Sequence, residues 1–564
     1  MSYLPNRRLF FISTALGLLI LAVLAGCALV GAPEPTPTPP PPTATPLPRG
    51  GNLTIRLAAD VPDLRPWQPR SRGEEQIIGL MYNGLMRLDP QLQPQPDLAE
   101  RWDASADGRL ITFTLRPALS WQDGRPLTAD DAVFTLNALR AISPTTVLLS
   151  DLRRIADVSA PATRTLVISL TERYAPMLSE LAVPILPRHL LSGKDLATLN
   201  FWDVPIGSGP FTLNDRQPGA AITLVANRRF FRGQPLLDRV AFLLSPDLSV
   251  TQAALRDGRL LLTELPWDAG RTISQTVPGL QTGAYPENGY YFLAFNSREG
   301  RPFADARLRQ ALSLAVDQPA LVRQATNGQG IPIASSAVPG SWASFVRPQT
   351  RTLDLDAARA LLDDAGWTAG PDGVRQREGR LLEAQIFVRG DDQRRVAAAQ
   401  RIAEAGRTIG ISLTVQPADF ESVIVSKYAP PYDFDLLLGS WSNGAGDPDF
   451  ADYAYYDPDD FALFHSSQIN QGVADLRPVR NIGGFRDGAY DNQAAAAHQL
   501  YDPQQRATAL RLAQERLDDQ KPYLFLWADR IPVALSPTVT TLDGPVNLNT
   551  PMYLWNVERW YLKR

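Results

Sequence analysis

The stretch Pro96–Leu136, PDLAERWDASADGRLITFTLRPALSWQDGRPLTADDAVFTL, places a strand and a helix in one continuous run. Behind the Asp107-Gly108 turn, Ile111, Phe113 and Leu115 alternate with Thr112 and Thr114, the period-two pattern of a half-buried strand. Asp123-Gly124 makes a second turn. Thr128, followed three residues later by Asp131, predicts a capped helix whose apolar side is Val133, Leu136 and Leu139.

The same alternation of strand and helix recurs along the chain. Leu53–Leu57 alternates as a strand, Asp60–Trp67 is turn-rich, and Glu74–Met86 carries Ile77, Ile78, Met81 and Leu85 at helical spacing. Asp305 is positioned to cap a helix carrying Leu308, Ala311, Leu312 and Ala315. Asp502-Pro503 supplies a cap and a preset first turn for a helix carrying Leu510, Ala513 and Leu517. Gly366 ends a helix holding Leu361, Leu362 and Ala365. These stripes are core, and strands alternating with such helices predict mixed α/β lobes. From Gly51 onward about 510 residues have globular composition, too many for a single core, so two or more lobes are expected.

Asp433–Phe450, DFDLLLGSWSNGAGDPDF, is the candidate site. An apolar run (Phe434, Leu436, Leu437, Leu438) breaks into a loop of glycines and a proline carrying Trp441, Asn443, Asp447 and Asp449. The carboxyl end of a strand, where an α/β sheet opens into a crevice, is where ligands usually bind. The competing reading makes Trp441 a core aromatic and Asp447-Pro448 a turn.

The N-terminus sets the compartment. Arg7 and Arg8 precede an apolar run from Leu9 to Ala25 that ends in Leu24-Ala25-Gly26-Cys27, the layout of a secretory signal over residues 1–26. A membrane helix fits less well, because a Pro-rich tract follows with no basic flank. Leu-Ala-Gly-Cys resembles the bacterial lipobox, in which the cysteine is lipidated. Cys27 is the only cysteine, so it has no disulfide to build and is read as the acyl attachment point. Pro33–Pro48 alternates Pro with Thr, Glu and Ala and favours polyproline II, a stalk of roughly 50 Å. Loss of the signal deletes Arg7 and Arg8 and no acid, so the net charge of −4 becomes −6. Such a chain has no general basic field for nucleic acid.

Enzymatic signatures are weak. His189, His465 and His498 lie far apart in sequence, without metal-ligand spacing. Gly207-Ser208-Gly209 is not a nucleophile elbow and reads as a tight turn. No Walker-type phosphate loop is present. The enzymatic alternative is glycoside hydrolysis by Asp447 and Asp449 beside Trp441.

The Pro96–Leu136 wording resembles the signature of the family 5 extracellular solute-binding proteins, the peptide and nickel receptors of ABC importers. Further segments agree in order: PIGSGPFTL (Pro205–Leu213), NRRFFRGQPLLDRVAF (Asn227–Phe242), FNSREGRPFADARLRQALSLAVD (Phe295–Asp317), DLDAARALLDDAGW (Asp354–Trp367) and RATALRLAQERLDDQKPYLFLW (Arg506–Trp527). The resemblance implies a two-lobe periplasmic-binding-protein-like α/β fold of type II, with mixed sheets and an interlobe cleft. It implies a signal at 1–26 and a lipidated linker at 27–50. The first lobe would cover 51–290, with an inserted subdomain at about 89–200, and the second 291–522. Residues 523–564 would return to the first, with crossings near Tyr290–Asn296 and Pro522–Trp527. It implies a monomeric receptor without cofactor or metal, lipid-anchored on the extracytoplasmic face, delivering a solute to a permease and its ATPase subunits. The same fold also serves ligand-binding partners of signalling receptors. The site residues expected are Trp441, Asn443, Gly444 and Asp447. In peptide-binding relatives the Asp three residues after this Trp pairs with the peptide's ammonium. Here that position is Gly444, which leaves room for sugars, capped peptides or another neutral or anionic solute, while Asn443 offers both a donor and an acceptor.

Overall fold

The computed structural model describes residues 48–67, 71–142, 147–345, 353–442, 458–470 and 480–563. The expectations for the signal, Cys27, the Pro-rich linker, Asn443, Gly444, Asp447 and Asp449 fall outside these residues. Two large sheets organise the chain. The first has seven strands in the order Gln281–Pro286, Arg530–Leu535, Leu262–Glu264, Asn52–Leu57, Arg239–Leu244, Ala221–Ala226 and Phe211–Gln217. Its centre is parallel, Asn52–Leu57 running alongside both Arg239–Leu244 and Leu262–Glu264, and its flanks are antiparallel. The second has six strands in the order Ile331–Pro332, Tyr523–Ala528, Gly289–Phe295, Leu436–Ser442, Glu383–Arg389 and Ser412–Ala418. A separate antiparallel sheet of four strands, spanning Ala99 to Leu170, is inserted in the first lobe.

The strand Gly289–Phe295 explains why the second sheet is covered on both faces. Every residue after Gly289 is buried, as in a central strand packed on two sides. Tyr291, Leu293 and Phe295 enter one core, beneath the helices Ala306–Ala315, Gln318–Ala325, Leu355–Asp364 and Gln393–Thr408. Tyr290, Phe292 and Ala294 enter the opposite core, beneath the helices Gly488–Gln499 and Pro503–Gln520. Alternation with a period of two thus divides one strand between two cores.

The opening stretch folds as its pattern dictates. Leu110–Leu115 is a strand with Ile111, Phe113 and Leu115 buried, and Ala129–Ile142 is a helix. Asp131 accepts from the Thr128 backbone N–H at 2.9 Å, one arm of a capping box. Asp305, Asp354, Asp392 and Asp502 cap their helices from the N-cap position, each accepting from a backbone N–H two or three residues further on, and Gly366, at φ +80°, follows the helix Leu355–Asp364.

Two expectations are corrected. The helix predicted over Glu74–Met86 runs over Arg72–Met81 and stops five residues early. Tyr82 is extended there, and Gly84 lies so close to the backbone of Ala182 that a Cβ would fall 2.5 Å from its carbonyl oxygen. Gly207 and Gly209 are needed for close approach: a Cβ on Gly207 would lie 2.0 Å from the Met81 carbonyl oxygen, and the Gly209 N–H donates to that oxygen at 2.8 Å. Tyr523–Ala528 belongs to the second sheet, so the chain returns to the first lobe at Asp529, one strand later than the sequence places it.

Candidate functional site

The strand before the candidate loop does not break at its glycine. It runs over Leu436–Ser442, antiparallel to Gly289–Phe295, with Trp441 opposite Tyr290 and Ser440 opposite Tyr291. Gly439 stays in the strand because Tyr428 crosses it; a Cβ there would lie 2.0 Å from the Tyr428 hydroxyl and 3.1 Å from the Phe292 ring. Glycine is thus a packing requirement here, and Trp441 is the penultimate strand residue.

Trp441 is 4% exposed. Its ring stacks on Phe292 (5.8 Å, 20°), Tyr428 meets it edge-on (5.5 Å, 77°), and its indole N–H points to the Tyr523 hydroxyl at 3.4 Å. Phe292 in turn stacks on Tyr523 at 4.3 Å. Burial raises the Tyr523 phenol above its ordinary pKa, so it stays neutral at all physiological pH. The indole is thus enclosed in an aromatic cluster with Phe292, Tyr428 and Tyr523, one residue before the end of the strand. The described chain stops just beyond it, at Ser442, and resumes at Pro458.

On the far side of that interval a polar cluster is built from Asp459, Asp460 and the helix Gly488–Gln499. Asp460 accepts from the Ser336 hydroxyl at 2.6 Å, and its backbone carbonyl accepts from Tyr490 at 3.1 Å. Asp459 sits 2.6 Å from His498 Nδ1. Burial opposes ionisation of Asp459, but the adjacent His498 outweighs it and holds the carboxyl below its ordinary pKa. Phe461 lies 4.0 Å from the His465 ring and 4.6 Å from His498, so two histidines distant in sequence flank one aromatic. Desolvation lowers the pKa of His465. Among the described residues no group of three or more His, Cys, Asp or Glu is placed to hold a metal ion.

Two contacts join the lobes here. The first is the crossing itself, where the Glu287 N–H donates to the Asp529 carbonyl at 2.8 Å. The Asp529 carboxylate accepts from Arg394 (2.9 and 3.1 Å), Tyr291 (3.1 Å) and the Trp527 indole (3.2 Å). The Arg394 guanidinium also lies 4.8 Å over Trp267, which follows the Leu262–Glu264 strand of the first lobe. Burial alone would lower the pKa of Arg394, but Tyr291 and Asp529 raise it. The second contact sets the inserted sheet domain against the turn between the helices Gly488–Gln499 and Pro503–Gln520. The Ala175 N–H donates to the His498 carbonyl at 2.8 Å, and the Tyr174 ring lies 4.6 Å from the His498 ring.

Of the expected residues, only Trp441 is among those described. Asn443, Gly444 and Asp447 lie just past Ser442. Sequence reading passed over Trp267, Arg394, Asp529 and Tyr501. Two signals for them were present: Leu265-Pro266-Trp267-Asp268 puts a Trp just past a short apolar run, and Asp392 caps the helix that carries Arg394.

Two α/β lobes joined at paired crossings, one of them carrying an aromatic-ended strand in its sheet, define a two-lobe binding protein. Residues 93–462 match the model of the bacterial extracellular solute-binding proteins, family 5 Middle, and the chain belongs to that family. It is a solute-binding protein of the extracytoplasmic side. Protein XP55 of Streptomyces lividans is 30% identical over 477 residues, 84% of this chain and 83% of that protein. The nickel-binding periplasmic protein of Escherichia coli is 26% identical over 466 residues, 79% of this chain and 83% of its own length. The structure of the oligopeptide-binding protein AppA of Bacillus subtilis, in complex with a nonapeptide, shares the fold with a TM-score of 0.62 at 23% identity, covering 92% of this chain and 100% of that one.

Proposed function

We propose that the chain is the solute receptor of an ABC importer, which closes two lobes over a small solute and presents it to a permease driven by ATPase subunits. The observation that carries this reading is the paired crossing. Glu287 and Asp529 are hydrogen-bonded to each other at 2.8 Å, and two short adjacent segments are what a hinge between rigid bodies requires. The receptor acts as a monomer, tethered through a lipid on Cys27, and performs no chemistry on what it binds. Its solute lies at the end of the Trp441 strand, in contact with Trp441, Asn443 and Asp447. Gly444 stands where an ammonium partner would, which favours a solute without a free amino terminus, such as a capped peptide or an oligosaccharide, and leaves Asp447 as the carboxylate for a shifted amine site.

A thermal-shift screen against free and capped peptides, oligosaccharides and metal chelates tests this, since a ligand of the folded state raises the melting point. One class should bind at micromolar affinity or tighter, about −8 kcal/mol or better, without turnover. Steady release of product from a peptide or glycoside would replace the receptor reading with a hydrolase.

A further inference from the structure

A cavity of about 440 Å³ lies beside the crossing, and its lining shares no residue with the aromatic cluster at Trp441. Arg271, on the short helix Gly270–Thr276, and Arg530, the residue after the Asp529 crossing, both line it. Thr282 and Asn549 add a hydroxyl and an amide from the first lobe, the Ser274 hydroxyl at the rim donates to the Gly270 and Arg271 carbonyls of its own helix, and Gln329 comes from the segment leading into the second sheet. No Asp or Glu lines it.

The electrostatics are unbalanced. Neither the Arg271 nor the Arg530 guanidinium makes an ion pair or hydrogen bond among the described residues, although the chain as a whole carries net negative charge. Asp529, next to Arg530, is committed to Arg394, Tyr291 and Trp527, and Asp268, three residues before Arg271, does not line the cavity. Asn549 Oδ1 accepts from the Ala284 N–H at 3.3 Å, which leaves its amide donors for another acceptor. Two guanidinium groups beside neutral donors, in a recess of this volume, make a complementary site for an anion carrying two or more acidic groups.

We propose that this cavity binds a small polyanion, a compound with two or more carboxylate or phosphate groups, at a site separate from the solute cleft. Because Gln329 belongs to one lobe and Arg271 to the other, occupancy is sensitive to the angle between them, and bound anion and bound solute influence each other reciprocally.

Citrate and pyrophosphate serve as probes of the two acid chemistries, titrated calorimetrically into the purified protein at low ionic strength with no solute present. Either probe should bind at millimolar concentration or below and raise the melting point. The double variant Arg271→Ala/Arg530→Ala, whose side chains are exposed, should keep the wild-type melting point in the absence of probe. It should weaken binding about tenfold or more. Arg256→Ala, which removes another exposed arginine of the same lobe, should change binding by less than about twofold. Absence of binding by both probes would overturn the proposal. Equal weakening in Arg256→Ala would do so too, since it would mean general charge attraction only. The assay omits the cleft solute, so its failure leaves the receptor reading standing.

Discussion

The hydroxyl of Tyr501 donates to the carbonyl oxygens of Gly108 and Tyr174, at 3.0 and 3.2 Å, and so ties the helical hairpin of the second lobe to the sheet domain inserted in the first. Trp102 packs against the same ring at 5.8 Å, and the Arg173 guanidinium lies 5.8 Å over it. In the proposed lobe closure this contact would be broken when the lobes part, and it would then bias the opening equilibrium. Tyr501→Phe deletes the donor and keeps the ring. A neutral hydrogen bond of this kind is worth about 1 kcal/mol net, which corresponds to roughly fivefold in solute affinity. Calorimetry with small-angle scattering checks both halves: a weaker Kd should accompany a larger radius of gyration before solute is added. Unchanged scattering and affinity would show that the contact does not govern opening.

Acid stability follows from Asp459. Its folded-state pKa is depressed, so its contribution is present above the unfolded carboxylate value of 3.8 and is lost as pH falls through the folded value. Asp305, Asp487 and Asp543 shift in the same direction, each beside an arginine, whereas burial raises Asp131 and gives it the opposite sign. Asp543 and Asp305 are screened by solvent, so Asp459, deep beside His498, and Asp487, paired with Arg516, should carry most of the effect. Urea unfolding should give a plateau near neutral pH and a fall below about pH 4. Asp459→Asn should cost about 2 kcal/mol at pH 7 and flatten the acid limb. An acid limb as steep as wild type would place the responsible carboxylate elsewhere.

The sequence was most legible where local chemistry and burial agree. Thr128 and Asp131 announced a helix start, and Ile111, Phe113 and Leu115 announced a strand, because each signal is completed within a few residues. It was least legible where a distant group decides. Gly439 reads as a breaker, yet it lies inside a strand because Tyr428 approaches from outside that strand. Nothing local marks Asp529 as the crossing; its role comes from Arg394, Tyr291 and Trp527, two of them more than a hundred residues away in sequence. The site was legible as one strand end. The partners that surround Trp441 come from three separate segments and carry no sequence mark of their meeting.

That dependence on Tyr428 can be tested directly. In Gly439→Ala the new methyl would lie 2.0 Å from the Tyr428 hydroxyl oxygen, and the overlap should cost about 1–3 kcal/mol in urea unfolding. Tyr428→Phe removes that oxygen, so the double variant should recover part of the loss. Strictly additive losses would mean that the clash is relieved by backbone movement instead.

The proposed anchor predicts a change of fractionation. Cys27→Ser removes the one thiol in the chain and with it the acylation point. The protein should then pass to the soluble extracytoplasmic fraction or accumulate unprocessed. Membrane retention of a correctly cleaved Cys27→Ser chain would exclude a lipid on this residue as the tether.

Trp441 separates packing from recognition. Its burial and its stacking on Phe292 make truncation expensive: Trp441→Ala should destabilise the unliganded protein by about 3–5 kcal/mol, because the cavity left between Phe292, Tyr428 and Tyr523 cannot close around a strand residue. That loss alone would mask any effect on binding, so Trp441→Phe is the informative variant. Phenylalanine keeps a ring over Phe292 and gives up the long indole bond to Tyr523, which should cost only about 1 kcal/mol of stability. If the indole also meets the solute, as the proposed site requires, Trp441→Phe should still weaken binding by roughly tenfold or more, since phenylalanine lacks part of that anchor's contact area. Melting in the absence of solute and calorimetry with it, on the same preparation, read the two effects independently. Intact affinity in a Trp441→Phe protein that melts normally would make Trp441 a buttress of the aromatic cluster and move recognition to the residues past Ser442.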